Sequence, residues 1–172
     1  MAEVLQKGSK ILEKASKEIS LNDISGPKIQ NIISQMKDVL KNTNDAIALA
    51  APQIGKSVRL FIISKKAFNS IPEEKQENNE NGDLVFINPE ITKTSKEKSW
   101  AKEGCLSVRG LYGEVERFKK ATIKAYDEYG KPFTFGGSGL IAQAFQHETD
   151  HLNGILFTEK AINLREDGVI KT

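Results

Sequence analysis

Residues 146–151 read Gln146-His147-Glu148-Thr149-Asp150-His151 and hold both histidines of the chain, four positions apart, with a glutamate after the first. On an α-helix, positions i and i+4 share a face about one turn apart. Two imidazoles so placed can reach one ion, and Glu148 is left beside them to handle protons. A polar helix face that happens to carry two histidines is the plainer alternative.

The flanking residues put this stretch on a helix. Gly136-Gly137-Ser138 interrupts the preceding pattern, Ser138 can cap, and Asn153-Gly154 is a C-terminal stop, so a helix is expected from Gly139 to about Leu152. Upstream lie candidate strands at Val115 to Phe118, Ala121 to Tyr126 and Phe133 to Phe135. The last two are joined across Asp127-Glu128-Tyr129-Gly130-Lys131, a hairpin turn. Trp100 to Ser107 reads as a strand end, Leu84 to Ile87 as a strand stopped by Asn88-Pro89, and residues 57–64 as a short buried strand. A helix over 26–42 is predicted from Pro27 in the first turn and the stripe Ile29, Ile32, Ile33, Met36, Val39 and Leu40, with Ser25 as the cap. Residues 69–83 are polar and turn-rich, a surface loop. Ile155 to Phe157 reads as a short strand and the remainder as a tail. The predicted class is α+β, with mostly antiparallel sheets packed around a central metal-binding helix in one domain over residues 1–172.

Composition narrows the function. The 25 basic and 23 acidic residues leave a net charge of +2, which gives no argument for nucleic-acid specificity. No apolar run approaches a membrane span, and Met1 to Ser20 lacks the apolar core of a signal peptide. The single cysteine, Cys105, rules out an internal disulfide. The expectation is a cytoplasmic protein, with an organellar mature form as the alternative.

A catalytic metal needs three protein ligands and an open position. With His147 and His151 in place and no third histidine in the chain, the third is a carboxylate or the thiolate of Cys105, the sole thiol. Gly104 allows close backbone approach, and the Leu106 N–H falls beside whatever the ion activates. Gln53 is the one polar side chain in the small, apolar run Ala46 to Gly55.

Three stretches resemble peptide deformylases: Ala48-Leu49-Ala50-Ala51-Pro52-Gln53, Glu103-Gly104-Cys105-Leu106-Ser107, and Gln146-His147-Glu148-Thr149-Asp150-His151-Leu152-Asn153-Gly154. The resemblance spans nearly the whole chain. It implies hydrolysis of the formyl group from N-formylmethionyl peptides, with release of formate. It implies one divalent ion on Cys105, His147 and His151, Fe(II) before zinc, nickel or cobalt, although Cys/His/His spacing alone favours zinc. Glu148 would serve as acid and base, Gln53 and the Leu106 N–H as oxyanion donors, and Gln146 and Asp150 as residues fixing the ligands. The peptide would add as a strand against Gly104 and the Ile47 backbone, with Ile47, Leu140, Gln143 and Ala144 walling the methionine pocket.

The chain also departs from the family pattern. Ala46 and Ala48 stand where glycines are usual, which bears on the shape of the pocket. Arg109 replaces a common proline, either meeting the peptide at the mouth or lying on the surface. The tail lacks the long C-terminal helix with which some members dock on ribosomes, which weakens the inference of docking; transient ribosome association stays open. Two other readings stay open. One is a zinc peptidase taking Glu159 or Glu166 as third ligand; the other is an inactive relative that binds peptides.

Overall fold

Strand β2 (Leu60–Ile63) is buried along its whole length, and this explains its unbroken apolar run. Leu60 and Ile62 join the cluster beneath helix α1 (Pro27–Asn42), while Phe61 and Ile63 join the one beneath helix α2 (Gly139–Leu152). A five-stranded antiparallel sheet therefore lies between two helices. The structure, a computed structural model, describes residues 2–68 and 82–166.

The other strands are β1 (Ala48–Ala50), β3 (Leu84–Thr94), β4 (Lys98–Cys105), β5 (Val108–Phe118), β6 (Lys120–Tyr126), β7 (Pro132–Ser138) and β8 (Ile162–Glu166). The larger sheet runs β1-β2-β3-β6-β7 and the smaller β4-β5-β8. The class is α+β, as expected. Helix α2 sits between the sheets. Ile141, Ala142, Phe145 and Leu152 face the larger one, where Phe145 meets Phe86 edge-on with ring centroids 5.4 Å apart. Its other side meets β5 through polar groups.

Four local expectations are corrected. Asn88-Pro89 does not stop β3: the ladder to β6 slips between Ile87 and Glu90, and the strand continues. Asn88 takes φ 48° and its amide binds both the N–H and the C=O of Ile19, while Pro89, lacking a donor, sits in the bulge. Residues 155–157 form no strand. Leu156 and Phe157 are buried, and a 3-10 turn, Phe157–Glu159, begins there with the Glu159 carboxylate accepting from Leu156 N–H. The tail expected after Phe157 instead contributes β8, paired with β5. Gly26, not Ser25, occupies the α1 cap position. Of the expected loop 69–83, residues 69–81 lie outside the described residues.

The N-terminal segment crosses the motifs. Leu5 N–H donates to Gln53 O, Lys7 N–H to Ser107 O, and Ser16 N–H to Leu152 O. Gly154 closes α2 with φ 75°, and a Cβ there would fall 2.8 Å from the backbone of Glu13 and Lys14. Among the described residues, no helix is long and apolar enough to cross a membrane.

Candidate active site

Helix α2 turns His147 and His151 to one side, with ring centroids 4.9 Å apart. The end of β4 brings Cys105 against them, its Sγ 3.2 Å from His151 Nε2. One donor atom from each of these three residues lies within 4.8 Å of the others, and they form the one such group among the described residues. Glu159 accepts from Leu156 N–H, and Glu166 lies in β8 opposite Leu111, so neither candidate of the zinc-peptidase reading joins it.

The surroundings fit a cation. His147 Nδ1 lies 2.8 Å from Glu103 Oε2. Burial pushes the Glu103 carboxyl up, but hydrogen bonds from His147 and Arg117 outweigh it and hold the pKa at about 2. The carboxylate therefore accepts, Nδ1–H donates, and His147 Nε2 is left for an ion. Two N–H groups, Gln53 Nε2 and Ser107 N, each lie 3.4 Å from Cys105 Sγ. Two buried polar atoms beside the group have no hydrogen-bond partner, Glu148 Oε2 and His151 Nδ1. A buried, unpartnered carboxylate oxygen is costly unless a ligand or water meets it. Burial lifts the Glu148 carboxyl to about 7, and it lowers His151 well below the usual imidazole value. His147 moves the other way: burial opposes its proton, yet hydrogen bonds to Cys105 and Glu103 raise it well above the ordinary value.

Sequence reasoning missed the charges that support this arrangement. Arg117 in β5 grips Glu103 with Nε at 2.7 Å and Nη2 at 3.0 Å, and its Nη1 donates to Asp150 Oδ2 at 2.7 Å. Lys160 Nζ closes the row on Asp150 Oδ1 at 2.6 Å. Asp150 thus reaches His147 through Arg117 and Glu103 rather than by touching a ligand. Gln146 binds the N–H and C=O of Phe118, fastening α2 to β5. Glu103 carried a usable signal, since residues two apart on a strand share a face and it stands two before Cys105. Arg117, distant in sequence, carried none.

A cleft of about 350 Å³ opens over the group. Ala46, Ile47, Ala48, Gln53, Gly104, Leu106, Arg109, Leu140, Gln143, Ala144, His147 and Glu148 all line it, as do Asp45, Lys102 and Tyr112. Strand edges form two of its walls. In β1, Ile47 O accepts from Ser64 N–H, so alternation turns the N–H and C=O of Ala48 away from β2 and into the cleft. In β4, Lys102 O turns outward to accept from Gln143 Nε2 at 2.9 Å, and the same parity turns Gly104 outward.

The polypeptide deformylase family description matches residues 1–167. The peptide deformylase of Carboxydothermus hydrogenoformans is 41% identical over 165 residues, covering 96% of each chain. A crystal structure of a peptide deformylase from Legionella pneumophila has a TM-score of 0.80 at 36% identity, covering 95% of this chain and 87% of that one. A class I type b peptide deformylase from Acinetobacter baumannii, crystallised with Met-Ala-Ser bound, has a TM-score of 0.80 at 31% identity, covering 93% of this chain and 99% of that one.

Proposed function

The chain belongs to the peptide deformylase family, and from that premise we propose how its own residues carry the reaction. It is an enzyme that removes the N-formyl group from N-formylmethionyl peptides and releases formate. Cys105, His147 and His151 hold the divalent ion. Once bound, such an ion supplies Lewis acidity, polarising a carbonyl and lowering the pKa of water. Iron(II) is the occupant we infer, with zinc, nickel and cobalt as competitors.

The chemistry of the chain follows from placement. Glu148, with a buried oxygen free of partners and a pKa raised to about 7, can accept a proton from attacking water near neutral pH and return it to the leaving amine. Gln53 is held in register because its Oε1 accepts from Ala50 N–H at 2.8 Å, while its Nε2 lies 3.4 Å from the Cys105 sulfur and 3.2 Å from Ser107 Oγ, a contact it exchanges for the formyl oxygen when substrate binds. Together with the Leu106 N–H it donates to the formyl oxygen as charge grows there, each donor contributing about 3 kcal/mol.

The peptide enters as a strand between β1 and β4, using the backbone of Ala48 and Gly104. Its methionine side chain turns toward Ile47, Leu140, Gln143 and Ala144. Arg109 stands at the mouth, where peptide carbonyls pass. Binding of Met-Ala-Ser by the Acinetobacter relative supports a site for short N-terminal peptides. The setting we infer is cytoplasmic, with transient association with ribosomes.

The observation that carries this reading is the convergence of Cys105, His147 and His151 beside an unpartnered Glu148 carboxylate in a cleft walled by strand edges. Anaerobic purification with metal analysis, coupled to formate release from a formyl-Met tripeptide, tests it. One bound iron per chain and formate release are expected. An active protein whose Cys105→Ser variant keeps both its metal and its rate would refute the ligand set.

A further inference from the structure

The cleft does not end at its floor. On β4, Gly104, Lys102 and Trp100 share the face turned away from Glu103, and their partners Tyr112, Glu114 and Glu116 on β5 share it too. The Tyr112 ring lies across Gly104, so close that a Cβ at Gly104 would fall 2.6 Å from it. Trp100 is 54% exposed and Tyr112 49%. Lys102, between them, makes no ion pair among the described residues. Beyond Trp100 the face is closed by its own contacts. Lys98 pairs with Glu116 at 3.1 Å and stacks 4.9 Å over the Phe118 ring.

A peptide leaving the reaction centre along β4 meets Gly104 first and Lys102 next. The Lys102 carbonyl is already taken by the side-chain amide of Gln143, which reaches it from α2. In-plane pairing therefore stops after Gly104, and the chain must turn out of the sheet. Tyr112 and Lys102 both line the cleft and lie on the outer face, so the cleft is continuous with that face.

We propose that the exposed face formed by Tyr112, Lys102 and Trp100 is an extension of the substrate site, which receives apolar side chains of the formylated polypeptide downstream of its first three residues. The inference rests on the deformylase reading and names what that site recognises beyond methionine. Cys105 to Trp100 is five residues of strand, a path of about 17 Å, which an extended peptide spans in about five residues. Large, half-exposed aromatic rings with a flexible cation between them suit a chain of varied sequence, because they offer apolar area and ammonium donors without demanding one partner.

Trp100 is the only tryptophan of the chain, so its emission reports on this face alone. The test compares formyl-Met peptides of about three and about eight residues, the longer carrying leucine or phenylalanine beyond its third position, as substrates of the metal-loaded enzyme. Their deformylated products serve as titrants for Trp100 fluorescence. The longer substrate is expected to show a kcat/KM about tenfold higher, mainly through KM, and only the longer product to shift the emission. In Trp100→Ala the long-to-short ratio is expected to fall to about one. Equal kcat/KM for both peptides in wild type, with unchanged emission, overturns the inference while leaving deformylase activity standing. No formate from either peptide refutes the deformylase reading and the extension with it. Emission that shifts with protein concentration alone assigns the face to a second copy of the chain, and likewise overturns the proposal.

Discussion

Glu103 and Glu148 are both buried carboxyls near the same imidazoles, yet their surroundings drive them apart. Glu103 accepts three charged hydrogen bonds and stays ionised to about pH 2; Glu148 has an oxygen with no partner and titrates at about 7. Their variants should therefore fail differently. Glu148→Gln is expected to keep its metal and lose at least about a hundredfold in kcat, read by formate release beside metal content. Glu103→Gln is expected to weaken metal affinity by about tenfold, because the charged acceptor of His147 Nδ1–H becomes a neutral amide that fixes the ring less firmly and makes it a weaker ligand. If both variants lost metal equally, the division of roles would be wrong. Without a cation, His147 keeps a proton to well above the ordinary imidazole value. A cation must displace that proton, so uptake at neutral pH should release acid and tighten as pH rises. Calorimetry in buffers of differing ionisation enthalpy measures the released proton directly.

Among the elements, α2 was the most legible. Its bounds, Gly139 to Leu152, follow from the Gly-Gly-Ser punctuation and the Asn153-Gly154 stop, both local signals. The stop does more than end the helix. Gly154 has φ 75° and no room for a Cβ against Glu13 and Lys14, so Gly154→Ala is expected to destabilise the protein by about 2–3 kcal/mol, measured by urea unfolding. The other side of α2 depends on Arg117. Arg117→Met leaves Glu103 with His147 and Asp150 with Lys160 as their remaining partners, breaks a buried charge network, and should cost about 3 kcal/mol. The elements that sequence misjudged depended on partners out of view. β3 continues past Asn88-Pro89 because Ile19, sixty-nine positions away, satisfies the Asn88 side chain. β8 is a fully exposed edge strand without a buried alternation to betray it. The apolar run at Leu156 and Phe157 shows that buried residues need not pair as a strand.

At the scale of the molecule, α2 joins two sheets by unlike means, and acid should separate them. Toward the five-stranded sheet the contact is apolar, with Phe145 among Phe86, Phe135 and Ile141. Toward the three-stranded sheet much of it is the charged row His147, Glu103, Arg117, Asp150 and Lys160. Glu103 has its folded pKa lowered from the usual 4.5 to about 2, so its contribution is complete above about pH 4.5. That contribution is lost progressively as pH falls toward 2, because the unfolded chain takes up the proton first. The apolar contact has no such dependence. Glu148, raised to about 7 in the fold, works the other way and adds stability as pH falls from 7 to about 4.5, so it is between pH 4.5 and pH 3 that the metal-free protein is expected to lose stability, seen as a lower urea midpoint. Hydrogen exchange at pH 3 to 4 should show β4 and β5 amides losing protection before those of β2 and β3, once rates are corrected for intrinsic acid dependence. A simultaneous loss across both sheets, or a urea midpoint that does not fall over that range, would mean that the charged row adds nothing to the hold of α2 on the smaller sheet. The site would then owe its geometry to the apolar side alone, and the weaker metal binding expected of Glu103→Gln would have to arise at His147 without any loosening of β4.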